Sequence, residues 1–206
     1  MKKNKISKNW LYKQRNDIYI KRSKLEGYRS RAVYKLEEIN KKYKIFKNGI
    51  KVVDLGAAPG SWSQYVSKNV KNAKIVAIDL KEIELVENTF FIKGNFVDMQ
   101  NQKKIKEYFK DRVDVVLSDM AANTTGNKSI DSIVIGELCI DALEFSKSIL
   151  KNDGRFVSKI FMGSSFNEII AIAKKIFKEV HIFKPQSSRK ESKESFLVCK
   201  NLLKYN

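Results

Sequence analysis

One histidine, two prolines and two cysteines are all that this 206-residue chain holds of three residue types that often build sites or punctuate folds. Cys139 and Cys199 sit in the apolar stretches ELCIDAL and FLVCK, with neither a disulfide pattern nor metal-ligand spacing. A disulfide scaffold and a thiolate metal centre are thereby excluded, and both thiols read as small core residues. No metal is expected. The lone His181 falls on an alternating, strand-like run and reads as structural. No apolar run approaches the ~18 residues of a membrane span, and the lysine-rich start MKKNKISKNW has no apolar stretch behind it. The expectation is a cytoplasmic protein working as a monomer away from membranes, in which the NTT sequon at Asn123 meets no glycosylation machinery. Repeats and Pro/Gly/Ser-rich linkers are also missing, so nothing splits the folded part into two.

What the chain has in excess is positive charge, a formal +18. Residues 1–29 carry ten Lys and Arg against Asp17 and Glu26, with Trp10, Tyr12, Tyr19 and Tyr28 interleaved. This sets a basic N-terminal arm, 1–29, before a domain over 30–206. Two readings stand for the arm: cations that track phosphates beside aromatic faces that stack on bases, or a solvated tail.

Strand-like runs at 51–55, 74–80, 89–94, 113–119, 155–161, 180–184 and 195–200 alternate with helical periodicity, and the first five read as buried parallel strands. The fold class predicted is α/β, a doubly wound, mostly parallel sheet with helices on both faces. The link between the last two strands, containing Pro185 and SSRKESK, is too short for a crossover, so the last strand should run antiparallel.

In such a sheet ligands gather beyond the carboxyl ends of the parallel strands. The stretch DLGAAPGSWSQYV, residues 54–66, ends the first strand in a D-x-G-x-x-P-G turn. Gly56 permits the turn, and Gly60 would let backbone approach a ligand at the next helix. It is not a dinucleotide fingerprint, since Ala58 and Ser61 stand where glycines are needed. Asp79, ending the second strand, is placed to accept from ribose hydroxyls, which suits an adenosyl cofactor without a pyrophosphate; glycines used only for packing are the other reading. Asn95, Asp119 and Lys159 map to the same edge, joined by Glu194 at the start of the antiparallel strand. Lys35 borders a stripe made by Ala32, Leu36, Ile39 and Tyr43 on the first predicted helix, bringing a second lysine within reach of that edge.

Taken together, EGYRSRAVYKL, DLGAAPGSWSQYV, LSDMAAN, FVSKIF and KPQSSRKESKES resemble the FtsJ/RrmJ-type RNA 2′-O-methyltransferase family, and most closely its ribosomal RNA large-subunit methyltransferase E branch. The resemblance covers nearly the whole chain. It implies a Rossmann-like methyltransferase fold of seven strands and S-adenosylmethionine as methyl donor. The acceptor it implies is a uridine ribose in the A-loop of large-subunit rRNA, within the large ribosomal subunit. It also implies a catalytic tetrad of Lys35, Asp119, Lys159 and Glu194, and a cofactor site of Gly60, Trp62, Asp79, Asn95 and Asp119. Two departures stand out: Asn95 in GNF where the family usually has Asp, and Ala122 in SDMAAN where it has proline.

The chemistry implied is in-line displacement at a sulfonium methyl by a 2′-oxygen. Lys159 would either accept the hydroxyl proton or steer the oxygen electrostatically. Other RNAs, such as a tRNA anticodon loop or an mRNA cap, and a non-enzymatic role in ribosome assembly are the rival readings.

Overall fold

The computed structural model describes residues 17–120, 128–189 and 191–203, with backbone alone over 128–132. Trp10, Tyr12, Ala122 and Asn123 lie outside the described residues. Six helices are described, α1 (Ile18–Leu25), α2 (Val33–Tyr43), α3 (Ser61–Asn69), α4 (Met99–Phe109), α5 (Lys128–Ile149) and α6 (Phe166–Ile176). Seven strands form one sheet: β1 (Lys51–Leu55), β2 (Lys74–Asp79), β3 (Thr89–Lys93), β4 (Val113–Ser118), β5 (Leu150–Phe161), β6 (Phe177–Phe183) and β7 (Glu194–Leu202). Their spatial order is β3-β2-β1-β4-β5-β7-β6. Neighbours from β3 to β5 pair in parallel, while β7 is antiparallel to both β5 and β6. The predicted doubly wound α/β sheet with a reversed last strand is the one found.

Period-two alternation divides the core between the two faces. Val53, Val76, Val116 and Phe156 point to a layer with Ile105, Leu143, Ile169 and Ile176 from α4, α5 and α6. Val52, Ile75, Val115 and Val157 point the other way, to Leu36 and Ile39 of α2 and Trp62 and Val66 of α3. Burying these side chains against helices on both faces is what holds the strand ends in place. Both cysteines are buried, and burial pushes the Cys139 thiol up to about 12, so it behaves as an inert core group. Among the described residues no helix is long and apolar enough to cross a membrane.

The strand expected over 89–94 is only partly a core strand. β3 is an edge, with Ile92 buried while Phe90 stays exposed and stacks on Tyr108 of α4 at 4.9 Å between centroids. Apolar composition alone does not say whether a strand has a neighbour on both sides. β5 is also longer than expected: Leu150 already pairs with Val113, and a register shift absorbs the turn-like residues before Arg155.

Within the predicted arm, residues 18–25 form α1, which no apolar periodicity announced. Asp17 caps it by accepting from the N–H groups of Tyr19 (3.0 Å) and Ile20 (3.4 Å), and it also pairs with Arg31. Tyr19 and Tyr28 pack around the Tyr34 ring of α2, at 5.5 and 6.4 Å between centroids. These two aromatics are thus engaged by the fold. Asp17→Ala should lower the unfolding free energy by about 2 kcal/mol, the upper range for a lost cap, and Asp17→Asn, which keeps a capping oxygen, by about half that. Urea unfolding of the three proteins checks the order.

Candidate active site

β1 leads into the turn Gly56–Gly60 and then α3. At Gly56 the φ angle is +71°, and a Cβ there would lie 2.3 Å from Cγ of Met120, so the close approach of this turn to the segment after β4 requires glycine. Gly60 opens α3 with φ +99°, but its missing side chain makes room for something unforeseen. A Cβ would stand 2.4 Å from the guanidinium of Arg29. That guanidinium donates to the carbonyl oxygens of Pro59 (3.1 Å), Glu84 (2.9 Å) and Leu85 (2.8 Å), tying the turn after β1 to the segment after β2.

Between these walls opens a cavity of about 580 Å3, with Gly56, Asp79, Asn95, Asp119, Met120 and Leu138 among its lining residues. Asp79 is fixed by two backbone donors: Oδ2 accepts from Ala58 (2.9 Å) and Oδ1 from Lys81 (2.8 Å). Each oxygen keeps a lone pair for another donor. Asn95 accepts from the Val97 N–H through Oδ1 at 3.2 Å, which fixes its amide at the far wall. Gly60 and Trp62 stand behind this cavity and do not line it. The Trp62 indole donates to the Ala32 carbonyl at 2.9 Å and its ring faces Phe196, which fastens α3 to α2 and β7.

The four residues Lys35, Asp119, Lys159 and Glu194 come together as two ion pairs. Lys159 of β5 lies beside Asp119, one step beyond the last registered pair of β4 and β5, Ser118 with Ser158. Its ammonium is 3.1 Å from Asp119 Oδ1 and donates to the Asp119 carbonyl at 2.8 Å. Glu194 pairs with Lys35 at 2.8 Å rather than with Lys159, and its other oxygen accepts from Ser188 Oγ at 2.7 Å. Lys35 reaches this position over the Phe196 ring, 5.7 Å from its centroid. Burial alone would push the Asp119 carboxyl up, but the charges of Lys159 and Lys35 outweigh it and hold the group below the usual carboxylate range.

Asp54, at the end of β1, was visible in the motif but not assigned to the site. One oxygen accepts from both the N–H (3.0 Å) and the hydroxyl (2.7 Å) of Ser63 in α3. The other, Oδ1, has no hydrogen-bond partner, and neither has Oδ1 of Asp119 beyond its ion pair. Both residues line a second, small cavity of about 20 Å3. Of these two acceptors Asp119 Oδ1 already faces the Lys159 ammonium, which leaves Asp54 Oδ1 without any partner. Burial, followed by the Asp119 and Asp79 charges, pushes the Asp54 carboxyl up to about 7 against the Ser63 bonds. Among the described residues no cluster of acids, histidines and cysteines is arranged for a metal.

The raised Asp54 group has a definite sign in stability. Below its unfolded value, near 4, both states are protonated; between there and about 7 only the folded state holds the proton, so this contribution falls as pH rises. Asp54→Asn removes it. The stability of Asp54→Asn relative to the parent should therefore grow from pH 4 to pH 7 and then level off, as denaturant unfolding across that range will show.

Residues 28–202 match the model of the FtsJ-like methyltransferase family. The ribosomal RNA large subunit methyltransferase E of Pelagibacter ubique is 64% identical over 202 residues, spanning 98% of this chain and all of that relative. The protein of the same name from Rickettsia rickettsii (strain Sheila Smith) is 46% identical, with 95% of this chain and 88% of the relative covered. A crystal structure described as a ribosomal RNA methyltransferase from Plasmodium falciparum superposes with a TM-score of 0.76 at 34% identity, over 86% of this chain and all of that one. The two lysine–carboxylate pairs and the cavity beside them are therefore read within a known lineage: the chain belongs to the FtsJ-like methyltransferase family.

Proposed function

We propose that this protein transfers a methyl group from S-adenosylmethionine to a ribose 2′-hydroxyl of large-subunit ribosomal RNA, at a uridine of the A-loop, with the large ribosomal subunit as partner. The observation that carries the reading is the double position of Asp119. It lines the large cavity and at the same time pairs with Lys159, so a donor held in the cavity and an acceptor held by lysine would meet at one carboxylate. The names of the Pelagibacter and Rickettsia relatives support the ribosomal substrate.

The residues present fit such a donor. The unpartnered Oδ1 of Asp54 suits an ammonium, the free lone pairs of Asp79 suit a ribose diol, and the Gly56 turn leaves the cavity open where a side chain would fill it. Asn95, by its place in the cavity wall, would hold the adenine. Gly60 and Trp62 would serve the site from behind, by shaping the turn and fixing α3. When bound, S-adenosylmethionine supplies an electrophilic methyl on a positively charged sulfur.

Lys159 would act at the acceptor oxygen. Two of its contacts go to Asp119, and an ammonium has three N–H groups, which leaves one for the 2′-oxygen. Lys35, held by Glu194, adds a second positive charge beside Asp119 and the incoming RNA. The basic arm over 1–29 would add phosphate contacts, with Tyr19 and Tyr28 serving the fold rather than stacking on bases. In-line positioning by these groups would supply much of the acceleration.

Incubation with labelled S-adenosylmethionine and, separately, large subunits, free rRNA and tRNA should place a 2′-O-methyl on one A-loop uridine. Methylation of tRNA alone, or none at all, would overturn the proposal in favour of another RNA or an assembly role. Lys159→Ala should lower single-turnover transfer at least about 100-fold, a far larger loss than any change in donor binding read by calorimetry. Lys159→Arg separates the two roles of the lysine: a steering role is kept in large part, whereas proton acceptance is lost as fully as with alanine.

A further inference from the structure

The pair Lys35–Glu194 depends on the segment before β7, where residues 186 and 187 are bonded to Glu38 on the helix that carries Lys35 and to Arg31 just before it. Glu38, one turn after Lys35 on α2, accepts from the N–H of Gln186 at 2.6 Å and of Ser187 at 2.9 Å. Arg31, just before α2, donates to the Ser187 carbonyl and pairs with Asp17 at the start of α1. Both polar backbone groups of Ser187 are therefore taken, and Ser187 and Ser188 are buried. From this braced turn the Ser188 hydroxyl reaches Glu194 Oε1 at 2.7 Å, leaving Oε2 facing Lys35 at 2.8 Å.

A glutamate has three side-chain torsions to fix, and one ion pair does not fix them all. The Ser188 bond supplies the second point of attachment. Building on the reading above, we propose that Ser188 is a positioning residue for the transfer site: held by the Glu38–Arg31 brace, it orients Glu194 so that Lys35 stays beside Asp119. Asp119 is faced by Lys159 from β5, Lys35 from α2 and Asp54 from β1, with Glu194 of β7 acting on it only through Lys35. Lys35 is one of the two cations that keep Asp119 ionised despite burial, so a Lys35 released from Glu194 would leave Asp119 easier to protonate. A serine that merely filled space would have no such effect.

The test compares the full-length parent with Ser188→Ala, Ser188→Thr, Glu38→Ala and the double variant Ser188→Ala/Glu38→Ala. Two quantities are read: the titration of Asp119 by carbon-13 NMR of labelled aspartate, and single-turnover methyl transfer to large subunits across pH. In Ser188→Ala the Asp119 titration and the acid limb of the rate profile should both move to higher pH. Its rate at neutral pH should fall about tenfold, the effect of one lost hydrogen bond to a charged group. Ser188→Thr, which keeps a hydroxyl, should restore both readouts to near the parent. Glu38→Ala should shift Asp119 in the same direction, and the double variant should be no worse than Ser188→Ala, because both act through one bond. An unmoved Asp119 titration in Ser188→Ala, or full additivity in the double variant, overturns the proposal. Should the parent itself transfer nothing to large subunits, the ribosomal reading fails, while the NMR titration still decides whether Ser188 governs Lys35.

Discussion

The structure turns on keeping one half-buried carboxylate charged. Asp119 ends β4 where the sheet's connections diverge to either side of β1 and β4, the position at which doubly wound sheets open a crevice. Burial there pushes its carboxyl up; Lys159 on the next strand and Lys35 on the helix above outweigh that push and favour the anion. Its neighbour Asp54, lacking any lysine contact, is pushed the opposite way by the same burial. Two acids at adjoining strand ends are thus shifted in opposite directions by which of them has cations at hand.

Everything else keeps those cations in place. The lysine of β5 is set by the sheet itself, through the parallel register with β4 on one side and the Phe196 position of β7 on the other. The lysine of α2 needs more. Leu36 and Ile39 anchor its helix to the sheet, and Trp62 bonds to the carbonyl at the helix entry. The near half of the site is therefore as firm as the sheet, and the far half as firm as the packing between α2, α3 and the final hairpin.

Much of this was legible in the residues. Apolar runs located the strands, and the rule that parallel strands end on one edge brought Asp79, Asn95, Asp119 and Lys159 together; the short link after Pro185 turned the last strand round and added Glu194. What escaped depended on contacts between distant parts of the chain. The partner of Glu194 was not given by its position, because Ser188 and Lys35 select it through a loop conformation. α1 escaped because eight residues with a single buried side chain, Ser23, carry no apolar period. The role of Gly60 escaped because the group that fills its space, Arg29, comes from 31 residues earlier and declares itself only when the turn is folded.

That arginine carries a consequence for how the sequence can vary. Its hydrogen bonds go to the carbonyls of Pro59, Glu84 and Leu85, groups that every amino acid possesses. The side chain at 85 is therefore free to drift without loosening the rim of the cavity, and at 84 only a long 3.8 Å pairing of an exposed carboxylate with the same arginine is at stake. The constraint falls instead on a pair: a relative that retains arginine at 29 has no room for a side chain at 60, and one that loses the arginine is released from needing glycine there for space, though not for backbone angle. Across the family, a side chain at position 60 should therefore appear only where the arginine at 29 is absent, whereas the arginine can be lost while the glycine stays.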